Sequence, residues 1–217
     1  MLRRFISKVL SILMMLTLAL YNIQAVSFSA TNEVVFKDEV LKNIVTNKVD
    51  VDENGKVTKD EMTYLYELYY DGSLSSNKIK NLTGLEYAIN LSSLSLENNE
   101  IEDLTPISNC NKLINLGLSN NKIKDISPLS TCESLTYVYL DNNNIEDINP
   151  LVSCMNLSVM NIAGNDVKSI KPILNMGNLG ECYIDRDKFS NRERLEVLRL
   201  SETEYYLGID NRILLRN

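Results

Sequence analysis

From residue 91 to residue 178 the chain repeats itself every 22 residues without a gap. That period limits what it can fold into more than any other feature. LSSLSLENNEIEDLTPISNCNK (91 to 112) aligns on LINLGLSNNKIKDISPLSTCES (113 to 134), then on LTYVYLDNNNIEDINPLVSCMN and LSVMNIAGNDVKSIKPILNMGN. YYDGSLSSNKIKNLTGLEYAIN (69 to 90) reads as a diverged first copy, and a sixth unit starts at Leu179 and degenerates after Ile184. A unit this short cannot bury its own apolar face, so the copies must stack into a solenoid and share one core.

Apolar residues recur at repeat positions 1, 4, 6, 11, 14, 17 and 20. Positions 1 to 6 alternate like a strand, so 4 and 6 point inward while 3, 5 and 7 point out. Stacking pairs these strands in parallel and layers Leu94, Leu116, Val138 and Met160 on one another. Position 9 is always asparagine: Asn77, Asn99, Asn121, Asn143 and Asn165. An inward amide carries donors and acceptors and can satisfy backbone groups that a buried bend leaves unpaired. Asn120, one residue earlier, reads as an ordinary surface position. Pro106, Pro128, Pro150 and Pro172 all sit at position 16, where a locked φ starts the returning segment.

Cys110, Cys132 and Cys154 occupy position 20, and Cys182 position 4, both apolar slots in other copies. Buried thiols packing as small hydrophobes are the expectation; a bridge between neighbouring coils is the alternative. The chain contains no histidine. That rules out Ser–His or Cys–His nucleophile pairs, and three cysteines in one column cannot surround zinc. Asp103, Asp125 and Asp147 recur at position 13 and read as a solvated edge rather than an acid–base pair.

The spacing LxxLxLxxNxIxxIxPL resembles the repeats of internalins, secreted leucine-rich-repeat proteins of Gram-positive bacteria, over residues 69 to 184. The resemblance implies an α/β solenoid with a concave parallel sheet, convex 3₁₀ turns and a helical N-terminal cap, used as a binding surface. Position 20 departs from that pattern in carrying Cys or Met where leucine is usual.

Residues 1–27 read as a secretory leader: Arg3, Arg4 and Lys8 precede the apolar run Val9 to Leu20, followed by small residues including Ala25 and Ser27. The run is shorter than the roughly 20 residues a membrane span needs. The net charge is −7, and removing the leader makes it about −10. This disfavours nucleic acid and anionic membranes and leaves basic or neutral partners open.

Residues 28–68 read as a helical cap, with apolar spacing over 33 to 48 and 59 to 70. Residues 185–217 read as a C-terminal cap and tail, in which Ser190 and Glu193 open a short helix bearing Leu195 and Leu198. Between the first two helices, DVDENGKVTKDE fits the calcium-loop pattern, with Asp50, Asp52, Asn54, Lys56 (by its carbonyl) and Glu61 as ligands. A metal-free capping hairpin is the other reading. No cofactor is required.

Outward positions map the concave face. The first three strands offer small polar residues: Asp71, Ser73, Ser75, then Ser93, Ser95, Glu97, then Asn115, Gly117, Ser119. The later ones offer Tyr137, Tyr139, Asp141, then Val159, Asn161, Ala163, then Glu181, Tyr183, Asp185. Tyrosines rimmed by acids match the make-up of binding hot spots. Alternatively, these rings pack under Tyr205, Tyr206 and Leu207 of the tail. The leading expectation is a monomeric extracellular module that binds a protein on this face. A cell-envelope structural or carbohydrate-binding module is the alternative, and a hydrolase is disfavoured.

Overall fold

The alternating head of each repeat forms a three-residue strand, and the strands stack in parallel, as a computed structural model describing residues 32–185, 189–190, 192, 206–207 and 213–214 shows. They are β1 (Glu67–Tyr69), β2 (Ser93–Ser95), β3 (Asn115–Gly117), β4 (Tyr137–Tyr139), β5 (Val159–Asn161) and β6 (Glu181–Tyr183). Register is strict: Leu68, Leu94, Leu116, Val138, Met160 and Cys182 pair in sequence and are all buried. A one-residue slip would turn every one of them to solvent. The chain returns through 3₁₀ turns at Thr105–Ile107, Ser127–Thr131, Asn149–Ser153 and Lys171–Asn175, each with its proline in the first turn. Proline costs nothing there, because the first N–H groups of a helix lack partners anyway.

The recurrent aspartates have a structural duty. Asp103, Asp125 and Asp147 accept the N–H of Thr105, Ser127 and Asn149 at 2.8–2.9 Å and so cap those turns.

The buried asparagines form a ladder. Asn121 Nδ2 donates to Leu118 O of its own coil at 3.0 Å and to Leu96 O of the preceding coil at 2.9 Å, while its Oδ1 accepts Ile101 N–H at 3.0 Å. Asn143 and Asn165 repeat this arrangement one coil further on. Each asparagine therefore serves the coil before it. Asn77 has no earlier coil to serve and is exposed, so it does not belong to the inward column. Asn98, Asn120 and Asn142 all have φ between 55° and 59°. Position 8 is thus a left-handed bend that asparagine and glycine tolerate, not an ordinary surface position.

The N-terminal end corrects two further expectations. The first helix is α1 (Glu39–Val49), capped by Asp38, whose other carboxylate oxygen accepts Lys80 N–H of the first coil at 2.8 Å. The second, α2 (Lys59–Met62), is a single turn rather than a helix to residue 70. Leu65, Leu68 and Tyr70 already follow the LxxLxL spacing, and residues 67 to 69 form β1 instead. A helix stop is favoured here because pairing with β2 satisfies the backbone and buries Leu68. The first strand is therefore not at Asp71, Ser73 and Ser75. Those residues belong to a short insertion with a 3₁₀ turn at Gly72–Leu74.

At the other end, β8 (Ile213–Leu214) pairs antiparallel with β6, and β7 (Tyr206–Leu207) pairs with β8. Two added strands thereby cover the sheet edge, which would otherwise expose unpaired backbone groups. The leader and the helix expected around Leu195 and Leu198 lie outside the described residues. No helix among the described residues is long and apolar enough to cross a membrane.

All four cysteines are free and buried. Cys110 and Cys154 lie 3.6 Å from the carbonyls of Ala88 and Leu129 in the preceding coil, and Cys132 lies 3.8 Å from Ile107 O. A weak S–H donor at position 20 thus contacts a backbone acceptor that leucine could not engage. Burial pushes Cys110 and Cys182 up to about 12 and Cys154 to about 11. At pH 8 the native protein should therefore resist thiol-specific labelling at all four positions and react fully in denaturant. Rapid native labelling of Cys132 would place that column outside the core.

Candidate binding face of the repeat sheet

The parallel register turns the sequence map into a contiguous surface. Tyr137 pairs with Val159 and Val159 with Glu181; in the neighbouring row Tyr139 pairs with Asn161 and Asn161 with Tyr183. Tyr137 and Tyr139 are each 41% exposed, although their strand is central to the sheet. Alternation forces this, since Val138 between them takes the inward side.

The polar neighbours are held in place. Asp141 accepts from Ser119 Oγ and from Asn161 Nδ2 at 3.0 Å. Asp185 accepts Gly164 N–H at 2.8 Å, and the Tyr183 hydroxyl donates to Glu181 at 2.9 Å. The face is thus preorganised, so a partner need not order these side chains on binding. The described strands of the tail extend the sheet beyond β6.

Two residues of this face escaped sequence reasoning. Glu67 and Tyr69 lie in β1, in register with Ser93 and Ser95, and both are exposed. The Tyr69 hydroxyl donates to Ser93 Oγ at 3.0 Å. The LxxLxL spacing of Leu65, Leu68 and Tyr70 was the available signal, overridden by the phase of the later copies.

The acidic loop lies apart, in the cap. Asp50, Asp52 and Glu61 bring carboxylate oxygens within 4.8 Å of one another. That separation lets three oxygens share one ion at calcium distances of about 2.4 Å. Gly55 has φ +77°, which makes the sharp bend. Val57 O accepts Val34 N–H at 2.7 Å, so an upstream segment braces the end of the loop. Glu61 also has a capping duty: it accepts the Thr58 N–H and hydroxyl at 2.8 Å. Asn54 Oδ1 accepts Lys56 N–H at 2.7 Å. The donor set fits a calcium ion, and the loop holds together through its own hydrogen bonds as well.

A family model described as Leucine Rich repeats (2 copies) matches residues 111–153. No curated protein matches the chain. An internalin (inlF) of Listeria monocytogenes is 27% identical with a TM-score of 0.58, over 70% of this chain and 51% of that one. Internalin C2 (inlC2) of the same species is 27% identical with a TM-score of 0.52, over 71% of this chain and 78% of that one. A leucine-rich-repeat protein of Leptospira interrogans shares the fold at 23% identity and a TM-score of 0.57, over 64% of this chain and 36% of that one. The chain spans about half the length of the first of these internalins. Repeat spacing, coil geometry and these likenesses agree that the chain folds as a leucine-rich-repeat solenoid similar to those of internalins.

Proposed function

We propose that the chain is a secreted or surface-associated module, monomeric, that binds a protein partner on the concave face without catalysing a reaction. Leucine-rich-repeat proteins generally mediate protein–protein interaction, through the extended surface that stacking creates. The observation that carries the reading is the exposed pair Tyr137 and Tyr139 on a central strand, in register with Asn161 and Tyr183. Such rings supply large contact area at low entropic cost. Asp141, Val159, Glu181 and Asp185 complete the patch.

Crosslinking on the immobilised protein, followed by affinity measurement with the captured partner, tests it. Tyr139→Ala and Tyr183→Ala should each weaken binding by about 2 kcal/mol with the melting temperature nearly unchanged. Lost stability with full affinity would make the patch structural and move the interface elsewhere.

We further infer that the cap loop takes calcium as a structural ion, supported by the convergence of Asp50, Asp52 and Glu61. Lys56 would contribute its carbonyl and Asn54 its side-chain oxygen. Millimolar Ca²⁺ should then raise the melting temperature through mass action on the folded state, and Asp52→Asn should reduce the gain. Identical melts in Ca²⁺ and EGTA would assign the loop to capping alone.

A further inference from the structure

The concave face is sorted by charge. No lysine or arginine occupies an outward position of β1 to β6 or the residue two beyond each strand, whereas Glu67, Asp71, Glu97, Asp141, Glu181 and Asp185 do. The lysines that form ion pairs lie elsewhere. Lys80 and Lys122 reach Glu100 at 3.6 and 2.8 Å, and Lys124 reaches Glu146 at 3.7 Å. No ion pair reaches Glu97 or Asp141 among the described residues. Their partners are neutral: Ser95 Oγ for Glu97, and Ser119, Asn161 and Asn142 for Asp141. Such donors orient a carboxylate and leave its charge in place.

Tyr69, Ser95, Gly117 and Tyr139 lie side by side in one row across β1 to β4. The backbone positions of the two tyrosines therefore stand about 14 Å apart at the usual strand spacing, over a floor of small residues. Glu97 lies across that floor, because a Cβ on Gly117 would overlap its Oε1. Ser93, Gly117 and Ser119 are buried beneath. The result is a slot with a carboxylate on its floor, a tyrosine on each side and Asp141 on its rim. An ammonium or guanidinium gains there from charge-assisted hydrogen bonds to the carboxylates, while its apolar stem lies between the two tyrosines.

We propose that the concave face takes a lysine- or arginine-bearing segment of its partner, with one cationic side chain seated on Glu97 over Gly117, between Tyr69 and Tyr139. This rests on the concave-face reading above and adds the chemistry of the partner.

The test is selection of displayed random dodecapeptides on the immobilised full chain, followed by affinity measurement of enriched peptides in 50 mM NaCl. Enriched sequences should carry lysine or arginine and lose binding to Tyr139→Ala. Glu97→Gln with Asp141→Asn should weaken them about tenfold, while the charge-matched pair Glu102→Gln with Glu133→Gln, both on exposed positions outside the slot, should change binding less than about twofold. Thermal melts of each variant establish that it is folded.

Equal weakening by both pairs would reduce the effect to diffuse attraction and overturn the slot. Enriched peptides without cations that still need Tyr139 would overturn the cationic partner and leave the concave-face reading standing. Peptides indifferent to Tyr139→Ala, or no enrichment, would overturn both.

Discussion

Asn121→Ala is expected to destabilise the folded protein by about 3 kcal/mol, read as a shift of the urea midpoint. The side chain is buried and its amide joins two coils: it donates to Leu96 O and Leu118 O and accepts from Ile101 N–H. Alanine would strand those groups where water cannot replace the amide. Each buried polar group left unpaired costs about 1–3 kcal/mol, and the sum is tempered by other partners the carbonyls retain. Asn144→Ala, on the exposed surface, should cost under about 0.5 kcal/mol. Asn120→Ala should fall between them, near 1 kcal/mol, because alanine pays for the left-handed bend at φ 57°. Equal shifts for Asn121 and Asn144 would refute the ladder.

Gly72→Ala should cost about 2–3 kcal/mol for a steric reason. A Cβ at residue 72 would overlap the backbone carbonyl oxygen of Asn98 and approach Asn99 Oδ1 to 2.7 Å. The first of these is backbone in a tight bend and has nowhere to go. The second is holding Ile79 N–H at 3.0 Å, so moving it breaks a buried hydrogen bond. The Gly72 N–H also donates to Glu97 O at 2.9 Å, pairing the first coil with the second. Gly177→Ala provides the contrast, since its Cβ would meet nothing within 4 Å and its melt should be nearly unchanged. A Gly72→Ala variant as stable as the parent would mean that the first coil is not clamped at that point.

From residue 91 to residue 178 the sequence alone determined the coil, its phase, the inward asparagines, the proline turns and the adjacency of Tyr137, Tyr139 and Asn161, while the structure decided that the column of cysteines stays unbridged. Each feature the sequence determined is a local pattern copied from coil to coil, and a strand period of two leaves only one face for the apolar set. The ends were decided by tertiary structure, because a terminal coil has a neighbour on one side only and periodic reasoning fails there. Asn77 matches the column in sequence yet is exposed, having no earlier coil to bind. Residues 67 to 69 follow a helical spacing yet form β1, because β2 offers hydrogen bonds and a place for Leu68. Tail strands β8 and β7 close the far edge by antiparallel pairing, a contact across sequence that no repeat encodes. The slot also belongs to the tertiary structure: only stacking brings Glu97 of one coil over Gly117 of the next and sets Tyr69 and Tyr139 on its two sides.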